Sequence, residues 1–183
     1  MRIISGSLKG KKILVPKDKK TRPLKDLTKE SIFNIIYHSN KFRIDLNNAY
    51  ILDLFSGVGS FGLECLSRGV KKVIFVENYK GVIPILKKNL DNFKQISNFE
   101  IINKDIYNEN LFFNLKNKFD IIFLDPPYKD KNINKIFDKI KNSKVLKVNG
   151  IIILHRHKNE KEIFSTKLKK IEEKIYGLSK IMF

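Results

Sequence analysis

The chain has 183 residues, of which 42% are hydrophobic, with a single cysteine and a formal net charge of +18 at pH 7. A chain of this length is expected to form one main domain with its own core. One cysteine excludes an internal disulfide framework, and no apolar run approaches the roughly 20 residues of a membrane span, so we expect a cytoplasmic protein without membrane contact. The charge favours a nucleic-acid partner, although a lysine bias across a whole proteome is an alternative explanation.

Residues 1–45 are expected to form a basic extension that contacts this partner. Apolar and basic positions with turn glycines predict a β-hairpin over 1–16, with a returning strand at 13–15. A helix is predicted over 27–38 from apolar residues at helical spacing. The basic side chains expected to contact phosphates are Arg2, Lys9, Lys11, Lys12 and, in the loop Thr21-Arg22-Pro23, Arg22.

Residues 46–183 alternate apolar runs with helical segments. Strands are predicted at 50–54, 72–76, 99–103, 120–124 and 150–154, and helices at 60–68, 80–94, 108–116 and 132–146. This alternation predicts an α/β domain, a Rossmann-like, doubly wound and mostly parallel sheet with right-handed crossovers. Two β-rich pieces around Tyr176-Gly177 predict an antiparallel hairpin at the C-terminal end.

The stretch Asp125-Pro126-Pro127-Tyr128 follows the apolar run 121–124. Its carboxylate is therefore expected at the carboxyl end of a buried strand, the edge where ligands bind in open α/β sheets. Two successive prolines donate no hydrogen bonds and stiffen the loop, which leaves its carbonyls as acceptors. Alone, the stretch also fits an ordinary strand followed by a proline turn, so its interpretation depends on the neighbouring strand ends.

A glycine-rich loop follows the first predicted strand, in the sequence Asp53-Leu54-Phe55-Ser56-Gly57-Val58-Gly59, and Gly62 lies in the helix after it. Glycines in such a loop allow a ligand to approach the backbone, as in dinucleotide sites. Asp53 distinguishes a dinucleotide from a cofactor with an amino-acid group, because its carboxylate would repel a pyrophosphate but accept hydrogen bonds from an ammonium group. We therefore predict S-adenosylmethionine as the cofactor, contacted by Asp53, Phe55, Gly57 and Gly59.

Two more acidic residues follow predicted strands. Glu77 is expected to hold the ribose hydroxyls. Asp105 would accept a hydrogen bond from the adenine amino group, and Ile106 would pack on the base. Each acid alone also fits a solvated loop carboxylate, but with Asp53 and Asp125 they would line one edge of one sheet.

This edge gives the proline stretch a chemical role. An exocyclic amine of a nucleobase is a poor nucleophile because its lone pair is delocalised into the ring. Hydrogen bonds to the Asp125 carboxylate and the Pro126 carbonyl would orient the amine and favour its pyramidal form. Tyr128 would stack on a base turned out of its helix. The predicted catalytic residues are Asp125, Pro126, Pro127 and Tyr128, and no metal is needed.

The motifs resemble those of the RsmD family, bacterial methyltransferases that modify guanine N2 in small-subunit ribosomal RNA. The resemblance runs nearly end to end, through Arg2-Ile3-Ile4-Ser5-Gly6, Thr21-Arg22-Pro23, Glu30-Ser31-Ile32-Phe33-Asn34, the glycine loop with Glu64 and Leu66-Ser67-Arg68-Gly69, and Asp125-Pro126-Pro127-Tyr128. It implies a Rossmann-like fold, S-adenosylmethionine as methyl donor, and action on an assembled or partly assembled small-subunit particle. His155-Arg156-His157 departs from the acidic residue expected there, so no role is assigned to it.

Two alternatives stay open. Asp-Pro-Pro-Tyr also occurs in adenine-N6 methyltransferases acting on DNA or RNA, and the motif alone does not choose guanine over adenine. The short intervals between Asp53 and Asp125 disfavour, without excluding, the target-recognition insert that such DNA enzymes generally need. The second alternative is a non-catalytic RNA-binding factor in ribosome assembly. In either case we expect a monomer.

Overall fold

Four helices and seven strands make up the computed structural model, which describes residues 1–17, 24–93, 95–161, 164 and 168–183. The helices are α1 (Asp26–His38), α2 (Ser60–Ser67), α3 (Ile83–Asp91) and α4 (Ile133–Ser143), with a 3₁₀ turn at Leu46–Asn48. The strands are β1 (Tyr50–Leu54), β2 (Lys72–Val76), β3 (Phe99–Ile102), β4 (Phe119–Leu124), β5 (Leu146–His157), β6 (Glu173–Tyr176) and β7 (Ser179–Met182). Within the described residues, no helix is long and apolar enough to cross a membrane.

The strands form one sheet in the order β3-β2-β1-β4-β5-β7-β6. Strands β1 to β5 pair in parallel, and β7 runs antiparallel to both β5 and β6. The strand order reverses between β1 and β4, which places the carboxyl ends of these two strands beside each other at the crevice where such sheets bind ligands. The predicted fold class, a doubly wound, mostly parallel sheet with an antiparallel C-terminal hairpin, is confirmed.

Both faces of the sheet are covered, which explains why the central strands are continuously apolar. In β4, Ile121 and Phe123 belong to the cluster that also contains residues of α1 and α2, whereas Ile122 and Leu124 belong to the cluster with α4. The ring of Phe61 in α2 stacks on Phe123 with 4.0 Å between centroids. Each face of β4 therefore holds one helical layer against the sheet.

The N-terminal segment, residues 1–17, shares the first of these cores. Its residues Ile3, Leu8 and Ile13 are buried in the same cluster as β1 and α2. The predicted hairpin is reduced to one antiparallel bridge between Arg2 and Lys12. The returning strand predicted at 13–15 is wrong, because Leu14 exchanges hydrogen bonds with the side chain of Asn89 at 2.8 and 3.1 Å instead of pairing with a strand. The division into 1–45 and 46–183 stays a prediction.

Helix α2 anchors the N-terminal segment. The fully buried Glu64 accepts hydrogen bonds from the backbone N–H groups of Ile4 at 2.7 Å and Ser5 at 2.9 Å. The Ser67 hydroxyl donates to the Ser5 carbonyl at 2.5 Å. Gly6 has a φ of 84°, and a Cβ at this position would lie 1.8 Å from the Ser67 carbonyl oxygen. Motif residues that are distant in sequence therefore form one junction.

Several predicted elements differ from the structure, among them α3, which spans Ile83–Asp91 rather than 80–94. The helix predicted over 108–116 is wrong, because this segment forms turns. Strand β5 has 12 residues and begins at Leu146, well before the predicted start. Helix α4 ends at Ser143 rather than at residue 146, because Lys144 adopts a left-handed φ of 54°.

Candidate active site

The carboxyl edge of the sheet brings three of the predicted carboxylates together. Leu54 is in register with Val76 of β2 and Leu124 of β4, so the residues after these strands emerge at the same level. Burial raises the pKa of Asp53 well above its ordinary value, a hydrogen bond from Gly62 N–H opposes this, and the charges of Asp125 and Glu77 raise the pKa further. The edge therefore brings the carboxyl groups of Asp125 and Glu77 close enough to influence the ionisation of Asp53.

The glycine loop passes directly over this edge. Phe55, Gly57 and Gly59 all have positive φ, of 56°, 55° and 84°. At Gly62, a Cβ would lie 2.2 Å from a ring carbon of Phe75, so the absence of a side chain lets α2 pack on β2. Asp53 Oδ2 accepts a hydrogen bond from Gly62 N–H at 3.0 Å, which satisfies an N–H in the first turn of α2.

Glu77 fixes the other side of the glycine loop. Its Oε2 accepts a hydrogen bond from Gly57 N–H at 2.8 Å. Its Oε1 accepts from the N–H groups of Asn78 at 2.9 Å and Tyr79 at 2.8 Å. Because a carboxylate offers about four lone-pair positions, capacity remains for a ligand hydroxyl. The predicted contact of Glu77 with ribose is compatible with this geometry and stays a prediction.

Two serines mark the loop as a place for a polar ligand. The Oγ atoms of Ser56 and Ser60 are buried and have no hydrogen-bond partner among the described residues. Buried hydroxyls in proteins are nearly always hydrogen-bonded, so two unpaired ones on one loop fit the polar atoms of a bound molecule. The sequence predicted a role for the neighbouring glycines and missed these hydroxyls, which only their burial reveals.

The loop after β3 lies at the same carboxyl edge of the sheet. Asp105 is exposed, and its Oδ1 accepts a hydrogen bond from Tyr107 N–H at 2.9 Å. The Ile106 side chain is buried in the core cluster that also contains residues of α4, so its contact with a base stays a prediction. The Tyr107 ring lies 6.4 Å from that of Phe55, edge to face. Half-buried Phe55, which the sequence predicted as a cofactor contact, and half-buried Tyr107, which it did not, thus provide aromatic surface at this edge.

Tyr107 also connects the loop after β3 to the loop after β4. Its hydroxyl donates a hydrogen bond to Asp130 Oδ2 at 2.7 Å. Burial and this hydrogen bond together raise the pKa of Tyr107, so the phenol stays protonated and keeps donating. The loop that begins at Asp125 is therefore tied to the loop after β3.

The stretch Asp125-Pro126-Pro127-Tyr128, called the acceptor loop below, lies beside the glycine loop, with Asp125 N–H donating to the Leu54 carbonyl at 3.4 Å. His155 Nδ1 lies 2.7 Å from Asp125 Oδ1, and the Asp125 side chain is 19% exposed. Asp125 and Pro126 thus bring a half-buried carboxylate and a backbone carbonyl to this edge.

Two residues of β5 hold the acceptor loop, and sequence reasoning assigned them no role. His155 contacts Asp125, and Arg156 donates hydrogen bonds to the carbonyls of Pro127 at 3.0 Å and Asp130 at 2.7 Å. The Tyr128 ring lies 6.1 Å from the His155 ring and 5.3 Å from the His157 ring, nearly perpendicular to both. The parallel pairing of β5 with β4 was predictable, but the longer β5 that carries these residues to the loop was not.

The predicted basic residues lie elsewhere. Lys9, Lys11 and Lys12 are exposed, and Lys11 Nζ lies 5.6 Å from the ring centroid of Phe93, just after α3. Helices α2 and α3 begin at the carboxyl edge and end near the amino edge of the sheet, so the turn that carries these lysines lies away from Asp125. Exposed Arg2 is bridged to Lys12, and Arg22 lies outside the described residues.

The fold and this site define a Rossmann-like methyltransferase. The family described as "Conserved hypothetical protein 95" matches residues 1–183, and the chain belongs to it, the RsmD family. Ribosomal RNA small subunit methyltransferase D of Haemophilus influenzae is 32% identical over 97% of this chain and 90% of its own length. The Buchnera aphidicola (Acyrthosiphon pisum) protein of the same name is 33% identical over 86% of this chain and 78% of its own length. The solved structure of Escherichia coli yhhF has a TM-score of 0.82 at 26% identity and covers 100% of this chain and 95% of that one.

Proposed function

We propose that the protein transfers a methyl group from S-adenosylmethionine to the exocyclic N2 amine of a guanine in small-subunit (16S) ribosomal RNA. The observation that carries the proposal is the pair of acceptors, Asp125 and the Pro126 carbonyl, at the carboxyl end of β4 beside the glycine loop. The relatives named Ribosomal RNA small subunit methyltransferase D support the choice of ribosomal RNA. We propose a monomer that acts on an assembled or partly assembled particle.

The charge of the edge supports S-adenosylmethionine as the donor. This cofactor supplies a methyl group attached to a positively charged sulfur. Burial is the main cause of the raised pKa of Asp53, and the charges of Asp125 and Glu77 add to it. Carboxylates placed in this way favour a cationic ligand over a pyrophosphate. The residues proposed to bind it are Asp53, Phe55, Gly57, Gly59, Glu77, Asp105 and Ile106, and the hydroxyls of Ser56 and Ser60 join them.

The acceptor loop would prepare the amine. Because His155 occupies Oδ1 of Asp125, the second carboxylate oxygen and the Pro126 carbonyl are the two acceptors for the two N–H groups of an exocyclic amine. Two such hydrogen bonds orient the nitrogen lone pair and increase its density, and the Asp125 carboxylate also stabilises the positive charge that develops on nitrogen. Tyr128, held by two imidazoles, would stack on the base.

The surface around the acceptor loop suits a phosphate backbone. Exposed lysines lie in the loops that follow the strands at the carboxyl edge, and we call them the lysine rim: Lys80, Lys104, Lys129, Lys131 and Lys158. A base turned out of its helix into the pocket brings its flanking phosphates to this rim. Arg2, Lys9, Lys11 and Lys12 would then bind RNA further from the target nucleotide, which fits a large folded RNA better than a single strand. Arg22 is also proposed to contact an RNA phosphate.

The test is methyl transfer to small ribosomal subunits isolated from cells that lack the gene. Purified protein and labelled S-adenosylmethionine should yield N2-methylguanine in the small-subunit RNA, identified by nuclease digestion and mass spectrometry. Label appearing only as N6-methyladenine would support the adenine alternative, and no incorporation would support a non-catalytic assembly factor. Parallel reactions with naked RNA and with particles establish which form is the substrate.

A further inference from the structure

The end of β5 contacts the acceptor loop through His155 and Arg156, which have no role in the family resemblance or in the function proposed above. We propose that both are positioning residues: His155 orients the Asp125 carboxylate, and Arg156 holds the backbone of the loop behind it. This inference rests on the proposed function, since it assigns Asp125 to amine binding.

The strand register brings His155 to Asp125. Leu124 and Leu154 are paired in the parallel β4-β5 ladder, so Asp125, which follows the end of β4, lies beside His155, which is still within β5. The two side chains meet at 2.7 Å between His155 Nδ1 and Asp125 Oδ1, and they are only 8% and 19% exposed. Water competes weakly for a contact with so little exposure, so the hydrogen bond holds the carboxylate.

The surroundings of the imidazole define its tautomer. An ionised carboxylate only accepts hydrogen bonds, so His155 Nδ1 carries the proton that it donates. Nε2 is buried without a hydrogen-bond partner in the described part of the chain. The unpaired Nε2 fits a ring that carries its proton on Nδ1, the atom that faces the carboxylate.

This hydrogen bond has a consequence for the amine. The terminal torsion of an aspartate is broad, so an unrestrained Asp125 carboxylate would sample many orientations. With Oδ1 held by His155, Oδ2 has one direction, and the amine meets an acceptor that is already in place. Displacing a reacting group by about 1 Å costs on the order of 100-fold in rate, so orientation at this position matters for transfer.

Arg156 acts on the backbone of the same loop. Pro126 and Pro127 have no N–H group, so the loop cannot be held by its own backbone donors at these positions. The guanidinium of Arg156, 2% exposed, reaches the Pro127 carbonyl at 3.0 Å and the Asp130 carbonyl at 2.7 Å. A planar fork of donors fits two neighbouring carbonyls, and a lysine ammonium cannot reproduce it.

A His155 variant pair separates positioning from mere packing. His155→Leu removes the donor, whereas His155→Asn keeps an N–H donor close to the position of Nδ1. We expect His155→Leu to lower kcat about 10- to 100-fold, with S-adenosylmethionine affinity and the KM for particles within a few fold of wild type. His155→Asn should recover most of the kcat. Unchanged kcat in His155→Leu, or an equal loss in both variants at equal thermal stability, would overturn the role of His155.

The role of Arg156 is tested by Arg156→Lys, which keeps the positive charge but loses the planar pair of N–H donors. We expect a similar fall in kcat at unchanged donor affinity, and full activity of a folded Arg156→Lys protein would overturn its role. If the wild-type protein methylates adenine and not guanine, the kcat values of the same variants are compared for methylation of adenine. The test of His155 and Arg156 therefore does not depend on which base is methylated.

A measurement on the wild-type protein needs no activity. Nitrogen-15 NMR of the imidazoles should show His155 protonated at Nδ1 and unprotonated at Nε2, with a downfield Nδ1 proton that moves upfield in Asp125→Ala. A ring protonated only at Nε2 would contradict the inference even if every variant were too unstable to assay.

Discussion

Lys29 and Glu64 are both fully buried, with Lys29 Nζ 3.6 Å from Glu64 Oε2, and together they hold the first residues of the chain. Lys29 Nζ also donates a hydrogen bond to the Arg2 carbonyl at 2.7 Å. Burial lowers the pKa of Lys29, and the charge of Glu64 opposes this change. The charged form of Lys29 therefore depends on its partner.

Removing that partner should unfold the N-terminal junction. Glu64→Ala leaves the Lys29 ammonium without its buried counter-ion and two backbone N–H groups without their acceptor. We expect the free energy of unfolding to fall by about 3 to 5 kcal/mol, measured by urea denaturation. Glu100→Ala is the control, because Glu100 pairs with Lys72 on the surface and its loss should cost less than about 1 kcal/mol. Similar losses in both variants would contradict a buried network.

Asp53→Asn should make the protein more stable and less able to bind its donor. The pKa of Asp53 is raised above 3.8, so the native state holds this proton more tightly than the unfolded state. The carboxyl group therefore contributes stability at pH values below 3.8, and this is lost as the pH rises through the raised pKa. Asparagine cannot ionise, so Asp53→Asn should stabilise the protein at pH 7 by roughly 1 kcal/mol.

Urea denaturation at a series of pH values from below 3.8 to 7 measures how the free energy of unfolding depends on Asp53. Exposed Asp138→Asn is the control. The stability of wild type and control should fall with rising pH more steeply than that of Asp53→Asn. Calorimetric titration should show S-adenosylmethionine bound more weakly by Asp53→Asn. A parallel pH dependence in all three proteins would show that Asp53 ionises without strain.

Asp125→Ala should abolish methyl transfer and leave donor binding largely intact. The substitution removes one of the two acceptors for the amine, and the loss of such a preorganised group costs at least about 100-fold in rate. Single-turnover transfer and a calorimetric titration with S-adenosylmethionine measure the two properties separately. A large loss of donor affinity would mean that Asp125 belongs to the donor site.

The lysine rim and the N-terminal lysines should differ in how they affect RNA binding. Neutralising Lys129 and Lys131 to Gln should weaken particle binding, lower the salt dependence of the affinity, and impair transfer at saturating particle concentration, because these side chains flank the acceptor loop. Neutralising Lys9, Lys11 and Lys12 should weaken binding and reduce the salt slope while leaving the maximal rate unchanged.

Exposed Lys118, which precedes β4 at the amino edge, is the matched single-charge control. An unchanged salt slope in the triple variant would mean that the N-terminal lysines are an ordinary solvated surface. An unchanged slope in the Lys129 and Lys131 variant would remove the rim from the RNA interface.

The parts of the fold that follow from local pattern were predictable. Short apolar runs such as Ile121 to Leu124 favour buried strands over helices, and the order of the strands places their carboxyl ends together. The helix expected over 108–116 failed because its asparagines compete with helical hydrogen bonds: Asn108 Oδ1 accepts from Asn110 N–H at 3.0 Å, a turn contact. Leu111 and Phe112 are still buried, but without helical structure.

Sequence spacing placed Asp53, Glu77 and Asp125 at the carboxyl ends of strands, and the structure brings them to one edge of the sheet. Their functional roles stay predictions. His155, Arg156 and Tyr107 were missed because their roles depend on distances across strands and loops that spacing along the chain does not encode. The hydroxyls of Ser56 and Ser60 were missed for a related reason, since only burial distinguishes them from solvated serines.

The anchoring of the N-terminal segment constrains the order of folding. Ser5 is joined to Ser67, 62 positions later, and Leu14 to Asn89, 75 positions later. Contacts over such distances form slowly, because a long loop must close before they stabilise anything. During synthesis, the first residues therefore emerge with their lysines and apolar side chains unsupported until α2 and α3 have been made. Residues 1–17 are therefore made before α2 and α3 but take up their structure only once these helices are available.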